Sequence, residues 1–434
     1  MIAGILELTS RTTYGMTSKN VPLYLFRPLN QKLSPCIVGC SQKYDSNVLA
    51  VVDVPAWSTK SLSRGFLTHI IGVCGDLDAE KNALVFQYSK SSWKQKLTFS
   101  LPSFDRQYIS GISFNIDPAG CQDIDDVFTI GYDGYYYITI ADVAEWMKLN
   151  PRMYTVAHDI GQTLYQNGKV VRPLIPFQEQ CSLYPRKHRL GVSLQFQIVD
   201  DEVVGTRFMK TAIVNEESYT YNDIQKSVHS KVLKDLAKIL SGKDTSDPHE
   251  WVEALMVFYN IEAGKVLRSK GKGILRVHES PNLEKYKKLG VSADVLAMKS
   301  AKYVPATADN TSHWGLNADV YAHATSPIRR FADIVNQFVL KGEDAPEHDI
   351  DKLNERNKEI KKYERDLFFI EKLYTETRNF VEGIALNDHR VWVPEWKRIV
   401  TCDNSASEGT VGTLHFCTDM SQSTWKKRMI FAFT

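Results

Sequence analysis

The sequence predicts an α+β protein in which small antiparallel β-barrels flank a central domain that combines a β-sheet with helices. Three observations predict it: residues 1–98 contain short apolar segments separated by proline and glycine, residues 99–378 mix strand-like and helical patterns, and residues 379–434 return to short strand-like segments. A chain of 434 residues with 43% hydrophobic residues is long enough to form two or three hydrophobic cores. We therefore expect three domains with these boundaries.

The N-terminal region predicts strands because apolar and polar residues alternate within short segments bounded by turn-forming residues. The segments are "AGILELTS", "VPLYLFRPL", "PCIVGC", "NVLAVVDV", "LTHIIGVCG" and "NALVFQYS". They indicate one or two small barrels.

The central region predicts one buried strand and three helices. Residues 135–141 have the β-branched and aromatic content of a central strand. Helices are predicted over "SKVLKDLAKIL" and "PHEWVEALMVFYNIEAGKVLRS", where Trp251, Leu255 and Phe258 recur on one helical face. A long charged helix is predicted from about residue 349 to 380, and the strand-like segments that follow indicate a third barrel, short or incomplete.

The composition narrows the function classes. Lysine and arginine number 53 against 51 acidic residues, so a nucleic-acid surface would have to be a local patch. The seven cysteines show no CxxC pair and indicate reduced thiols. No signal peptide and no membrane-spanning stretch is apparent, and we expect a cytoplasmic or similarly reducing location.

An acidic segment, "IDPAGCQDIDD", places four aspartates close together between two apolar stretches: Asp117, Asp123, Asp125 and Asp126. Carboxylates at such short offsets repel each other unless a cation lies among them. A loop of this kind can direct several oxygen ligands at magnesium, which retains positions for water and phosphate oxygens. A calcium-binding loop or a solvated acidic turn can have a similar sequence, so the segment alone leaves these alternatives open.

A second segment, "HATSPIRRFADIV", predicts a helix that begins at Pro327 with Ser326 as its cap. Arg329 and Arg330 would then lie in the first turn, where the helix dipole disfavours cations, which implies an anion opposite them. A surface arginine pair is the alternative. Together with the aspartates, the pair suggests carboxylates that hold a metal and an arginine that binds phosphate.

These two segments, with "YYITIADVAEW", "EQCSLYP" and "ILRVHESP" between or beside them, resemble the defining motifs of the ribonuclease II family. The resemblance covers about residues 104–382 and implies an RNB catalytic domain flanked by cold-shock or OB-type barrels. It further implies a monomeric, Mg²⁺-dependent 3′→5′ exoribonuclease, with Mn²⁺ as a substitute metal, that degrades single-stranded RNA to nucleoside 5′-monophosphates.

The resemblance also implies roles for individual residues. The metal-binding aspartates fall on Asp117, Asp123, Asp125 and Asp126, of which Asp125 is expected to be the most critical for catalysis. Arg329 falls on the catalytic arginine that holds the phosphate, and Arg330 lies beside it on the RNA-binding side. Tyr221 matches a tyrosine bordering the scissile bond, Glu253 a glutamate near the 3′-terminal nucleotide, and Tyr165 an aromatic that stacks on the terminal base.

The chain departs from the family pattern in two places. The connection between Tyr221 and Glu253 is short, where relatives carry an insertion that supplies a second base-stacking aromatic. Gln337 and Phe338 stand where the second motif normally continues with a His-Arg pair. Since stacking contributes about 1–3 kcal/mol per base, the missing aromatic leaves processivity and product length open. The alternative function is a catalytically weak or inactive RNB-fold module that binds RNA or protein, and a third is an endonuclease or phosphodiesterase that acts on another substrate.

Overall fold

The computed structural model describes residues 1–12, 14–58, 61–89, 93, 97–282, 299–404 and 406–434. The chain divides into two compact units. Residues 1–89 and 359–434 fall in one unit, and residues 90–280 and 299–358 fall in the other, within the described ranges. No helix of the described residues is long and apolar enough to cross a membrane.

The N-terminal strands close into a five-stranded barrel in the order β1-β2-β3-β5-β4. Their bounds are β1 Ile2–Leu6, β2 Leu23–Pro28, β3 Cys36–Gly39, β4 Val48–Asp53 and β5 Ser63–Val73. Alternate residues such as Leu6, Phe26 and Val38 fill the barrel interior. Five of the six segments predicted as strands are strands.

The sixth segment, "NALVFQYS", was predicted wrongly, because it belongs to helix α1, Leu77–Tyr88. The Asp76 side chain caps this helix by accepting a hydrogen bond from the Ala79 N–H at 2.8 Å. Asp78 and Glu80 in the first turn also favour a helix start. The run Ala83-Leu84-Val85 is buried, so its apolar text does not distinguish a strand from a buried helical segment.

The second unit is built on a seven-stranded mixed sheet in the order β14-β7-β8-β9-β12-β13-β6 within the described residues. Its strands are β6 Gln107–Tyr108, β7 Gly111–Ile116, β8 Asp126–Gly131, β9 Tyr136–Ala141, β12 His188–Val199, β13 Glu202–Val214 and β14 Glu217–Tyr219. The prediction of a central strand over residues 135–141 is confirmed by β9, the fourth of the seven. Two small antiparallel ribbons accompany the sheet: β10 Leu164–Gln166 with β11 Lys169–Arg172, and β15 Ile274–Val277 with β16 Lys302–Pro305.

Helices cover both faces of this sheet, and two separate hydrophobic cores result. The helices are α2 Val143–Leu149, α3 Pro151–Ile160, α4 Gln178–Cys181, α5 Tyr221–Gln225, α6 Ser230–Ser241, α7 Pro248–Lys270, a short 3₁₀ helix at Trp314–Leu316 and α8 Phe331–Leu340. One core packs α2, α3 and α8 around Trp146, Phe177 and Phe331. The other packs α6 and α7 against the opposite face through Trp251 and Leu255, as the helical spacing predicts.

The charged helix α9 runs over Ile350–Thr375 and ends before the predicted residue 380, because Phe380 already begins a strand. The C-terminal segment forms a five-stranded antiparallel sheet in the order β19-β18-β17-β20-β21. Its elements are β17 Phe380–Asn387, β18 Arg390–Val393, β19 Arg398–Thr401, β20 Val411–Thr418, α10 Trp425–Arg428 and β21 Met429–Phe433. The open sheet agrees with the expectation of a short barrel. The α+β class with flanking OB-type β-domains is therefore confirmed.

The helix predicted to begin at Pro327 begins instead at Phe331, so the placement of Arg329 and Arg330 in its first turn was wrong. Residues 326–330 form a tight turn, because the N–H groups of Arg329 and Arg330 both bond to the Ser326 carbonyl. Two other N–H groups of this segment bond to carboxylates, Ser326 to Asp333 and Ile328 to Asp125. The turn does not continue into the helix, because the backbone of Arg330 is extended, with φ −132° and ψ 128°.

Candidate active site

A cavity of about 1000 Å³ lies in the second unit, between the ends of the central strands and one face of α7. All nine residues singled out from the sequence line it: Asp117, Asp123, Asp125, Asp126, Tyr165, Tyr221, Glu253, Arg329 and Arg330. These nine residues come from five separate segments of the sequence, so sequence order alone could not show that they line one cavity. Its remaining lining includes Lys169, Asn260 and Tyr321.

The acidic loop connects β7 to β8, which are antiparallel neighbours, so its two limbs return to the same end of the sheet. Asp117 follows the last residue of β7, and Asp126 is the first residue of β8. The segment "EQCSLYP" braces the loop, since Ser182 Oγ accepts a hydrogen bond from the Ile124 N–H at 2.9 Å and Tyr184 Oη donates to the Gln122 carbonyl at 2.8 Å. These bonds fix the loop without engaging its carboxylates.

Two of the four aspartates are held by protein groups. Asp125 is buried and accepts the Ile328 N–H at 3.0 Å, while its other oxygen lies 3.8 Å from Nε of Arg329. Asp123 accepts the Tyr165 hydroxyl at 2.7 Å and the Gln178 amide at 3.3 Å. Burial raises the pKa of Asp125 well above its usual range, and Arg329 opposes that rise.

Asp117 and Asp126 form an acidic pair whose negative charge is less fully balanced by neighbouring protein groups. Asp117 accepts a hydrogen bond at 2.9 Å from the Asn115 amide, which is itself held by Asn215 at 2.8 Å, and it also interacts with the Cys121 thiol. Burial raises the pKa of Asp117, and burial together with the neighbouring charge of Asp117 raises the pKa of Asp126 to about 7. Two buried carboxylates, one of which raises the proton affinity of the other, need added positive charge to be ionised together.

The arginine turn presents its two guanidinium groups differently. Arg330 is paired with Asp333 through contacts of 3.0 and 2.8 Å, and Asp333 is fully buried. Arg329 has a side chain that is 45% exposed and donates to Ser326 Oγ at 3.1 Å. The cavity therefore meets a largely available guanidinium at Arg329 and an already paired one at Arg330.

Tyr221 reaches the acidic loop through an edge strand. β14 pairs in parallel with β7, and the Asp117 N–H bonds to the Tyr219 carbonyl at 3.0 Å. The chain then turns into α5, where the Thr220 side chain caps the helix by accepting the Asp223 N–H. Burial, followed by the nearby charges of Asp117 and Asp126, raises the pKa of Tyr221.

Glu253 lies exposed on α7, on the face that also carries Asn260. Asn260 is buried and was missed by sequence reasoning, although its spacing of seven residues from Glu253 places both on one helical face. Its amide donates to Tyr321 Oη at 3.0 Å and to Thr325 Oγ1 at 3.2 Å, and its oxygen accepts the Ala324 N–H. Asn260 thereby holds the chain that leads into the arginine turn.

The aspartates of the site are chemically suited to magnesium, since carboxylate oxygens are the protein ligands that this ion prefers. Across the described ranges, however, no group of three or more acidic, histidine or cysteine side chains is arranged to hold a metal ion. The undercompensated pair Asp117 and Asp126 fits the common arrangement in which one or two carboxylates hold magnesium together with substrate phosphate oxygens and water. The expectation that all four aspartates bind the metal remains a prediction.

Carboxylates that face an available arginine across a cavity define a site for a phosphate ester. The comparisons with known proteins agree with this class: the RNB domain model matches residues 106–239 and 291–343. The chain therefore contains an RNB domain, as its resemblance to the ribonuclease II family predicts.

Among curated relatives, the chain is 23% identical to the exosome complex exonuclease dis3 of Schizosaccharomyces pombe, over 66% of this chain and 41% of the relative. It is 24% identical to ribonuclease R of Buchnera aphidicola, over 52% of this chain and 44% of the relative. The chain thus spans less than half the length of these two relatives.

Solved structures show the same fold. Ribonuclease R of Mycoplasma genitalium without ligand matches with a TM-score of 0.76 at 16% identity, covering 100% of this chain and 90% of that one. Its complex with ribose-methylated single-stranded RNA matches with the same TM-score at 15% identity and the same coverage. Yeast Ssd1, described as a pseudonuclease, matches with a TM-score of 0.66 at 14% identity, covering 97% of this chain and 66% of that one.

Proposed function

We propose that this chain is a magnesium-dependent 3′→5′ exoribonuclease that hydrolyses single-stranded RNA to nucleoside 5′-monophosphates. The observation that carries the proposal is the position of Arg329, half-exposed on the cavity wall and 3.8 Å from the buried carboxylate of Asp125. A guanidinium in this position can bind a phosphate that enters the cavity, and Asp125 orients it there. The RNB domain and the ribonuclease R complex with single-stranded RNA support this substrate.

Each residue of the site would have a distinct task. Arg329 would bind the scissile phosphate and stabilise the charge that develops on it during hydrolysis. Asp125, fixed by the Ile328 N–H, would hold the Arg329 side chain toward that phosphate. Glu253 and Tyr165 would contact the 3′-terminal nucleotide, with Tyr165 also fixing Asp123 through its hydroxyl.

Asp117 and Asp126 would hold magnesium, with Mn²⁺ as a substitute. The ion would supply positive charge beside the phosphate and lower the pKa of the attacking water. Asn115 and Asn215 keep the Asp117 carboxylate directed toward the cavity by their chain of hydrogen bonds. Tyr221, next to this pair, would border the scissile bond.

A 5′-labelled single-stranded RNA, incubated with the protein and magnesium, tests the proposal. We expect a ladder that shortens from the 3′ end, release of nucleoside 5′-monophosphates, and loss of both when a chelator is added. Arg329→Gln and Asp125→Asn should abolish shortening, while the exposed Arg152→Gln and Asp105→Asn serve as matched controls with wild-type rates. A DNA of the same sequence should be degraded much more slowly, because discrimination requires contacts to the 2′-hydroxyl.

The second candidate function is an RNA-binding module that does not cleave. It is favoured by the lack, among the described residues, of a group of three metal-binding side chains and by the similarity to the pseudonuclease Ssd1. In that case the labelled RNA is retained by the protein in a gel but keeps its full length at every magnesium or manganese concentration. That result would refute the exoribonuclease proposal.

A further inference from the structure

One face of α7 continues beyond the cavity. Glu253, Met256 and Asn260 line the cavity from this helix, and His249 lies one turn before Glu253 on the same face, at a spacing of four residues. The His249 imidazole stacks on the Tyr221 ring, with centroids 3.8 Å apart and planes inclined by 17°. A residue outside the motifs therefore covers one face of a cavity residue.

The start of α7 fixes the His249 ring. Asp247 caps the helix by accepting the His249 N–H at 2.9 Å, and the same carboxylate oxygen lies 2.9 Å from Nδ1 of the imidazole. A carboxylate can only accept, so Nδ1 carries the proton in this contact. Pro248 at the first helical position further restricts the backbone. The imidazole is held although its side chain is 65% exposed.

The short separation of the Tyr221 and His249 rings limits how a nucleotide base can stack on Tyr221. A base inserted between two rings needs stacking distance on both sides, and centroids at 3.8 Å leave no room for it. A base can therefore approach Tyr221 only from the face that His249 does not cover. Tyr221 lines the cavity within reach of the charges of Asp117 and Asp126, so a base that stacks on it from the cavity would lie near the acidic pair.

We propose that His249 is the positioning residue for Tyr221, and that the stacked pair is a single-faced platform for the nucleotide beside the scissile phosphate of single-stranded RNA. This inference rests on the proposed function of the cavity. Only the rest of α5, α6 and two short connections, residues 226–229 and 242–247, separate Tyr221 from α7, and the start of α7 supplies the second ring. Tyr221 then stacks on one base instead of clamping it between two aromatic side chains.

The test compares His249→Ala, which removes the ring, with His249→Phe, which keeps a ring without the imidazole nitrogens. We expect His249→Ala to lower kcat about threefold to tenfold on single-stranded RNA, the range that one aromatic contact gives, and His249→Phe to restore it. His249→Gln, polar but without a ring, should behave like His249→Ala. Thermal unfolding of each variant shows whether it is folded.

His229 offers a matched control. It also stacks on an aromatic ring, that of Phe114, with centroids 4.8 Å apart and planes inclined by 16°, but neither ring lines the cavity. His229→Ala should leave kcat and KM unchanged even if it lowers the unfolding temperature. A merely structural role for His249 would give the same pattern, with loss of stability and no dependence of kcat on the presence of a ring.

A binding measurement separates failure of this inference from failure of the proposed function. In the Asp125→Asn background, an RNA with 2-aminopurine at the nucleotide next to its 3′-terminal one reports stacking on Tyr221 by fluorescence quenching, whether or not RNA is cleaved. We expect quenching with His249 and with His249→Phe, and weaker quenching with His249→Ala. Equal quenching in all three proteins, including none at all, would overturn the inference, whereas an uncleaved RNA that shows the ring-dependent pattern would refute only the exoribonuclease proposal.

Discussion

Arg329 and Arg330 are adjacent in the chain, but the structure gives them opposite environments. The Arg330 side chain is 17% exposed and pairs with the fully buried Asp333. The Arg329 side chain is 45% exposed, and its nearest carboxylate oxygen, on Asp125, is 3.8 Å away. We predict that replacing each arginine with methionine will separate stability from activity.

The magnitudes follow from the contacts. Arg330→Met removes two hydrogen bonds of 3.0 and 2.8 Å and leaves the Asp333 carboxylate buried with the Ser326 N–H as its remaining partner. Breaking a buried pair in this way costs about 3–5 kcal/mol, which lowers the unfolding temperature by roughly 10 °C in a domain of this size. Arg329→Met removes a long contact near solvent, worth less than about 1 kcal/mol.

The assay combines thermal unfolding with the shortening of labelled RNA, both on the same preparations. Arg330→Met should unfold at a clearly lower temperature, and Arg329→Met should unfold with the wild type but fail to shorten RNA. Replacing both partners, Arg330→Met with Asp333→Leu, should recover part of the lost stability because no unpaired charge remains. Equal unfolding temperatures for the two single variants would refute this reasoning.

The buried pair of Lys341 with Asp142 and the hydroxyl of Tyr165 support three further predictions. Lys341→Met should lower the free energy of unfolding in urea by about 1.5–3 kcal/mol, because the fully buried side chain loses a charged contact of 3.0 Å to Asp142 Oδ1 while Arg106 stays paired with Asp142. Lys148→Met, half-exposed, should cost less than about 1 kcal/mol. Burial alone would raise the pKa of Asp142, but Lys341 and Arg106 together outweigh it and the pKa is lowered. This stability is present above about pH 4 and is lost as the pH falls, so acid unfolding of Lys341→Met, followed by circular dichroism, should have its midpoint at a higher pH. Tyr165→Phe keeps the aromatic ring but loses the 2.7 Å hydrogen bond to Asp123. We expect the turnover of labelled RNA to fall roughly tenfold. An unchanged rate would show that only the ring of Tyr165 matters.

Periodicity and motif order predicted the elements of the fold well where local pattern and packing agree. The strand β9 and the helix α7 lie where the sequence pattern predicts them, because their apolar residues face a core. The same reasoning failed for α1, where a buried run of Ala83, Leu84 and Val85 looks alike in a strand and a helix. The Asp76 cap and the acidic first turn were the available signals.

The tight turn before α8 shows why other errors could not be avoided. Its Ser-Pro sequence is that of a helix start, but the extended backbone of Arg330 ends the turn, and the N–H groups of Ser326 and Ile328 bond to Asp333 and Asp125. Asp125 is remote in the sequence, so no local rule could include it. The roles of Asn260 and of the Tyr221–His249 stack depend on the same kind of long-range contact, although the helical spacing of α7 places His249 and Asn260 on one face.

The four aspartates of the acidic loop are chemically unequal, and this inequality bears on how the chain could bind a metal. Asp123 and Asp125 already accept hydrogen bonds from Tyr165 and from Ile328, so a cation that claimed those oxygens would compete with protein donors. Burial and then the charge of Asp117 raise the pKa of Asp126, so this pair gains from an added positive charge even though Asp117 accepts a hydrogen bond from Asn115. A magnesium ion held by two carboxylates keeps most of its positions for water and phosphate oxygens, so its binding depends strongly on the substrate. We therefore predict that magnesium and RNA bind cooperatively: the apparent affinity for magnesium, measured by titration, should rise when RNA is present, and equal affinities with and without RNA would contradict this.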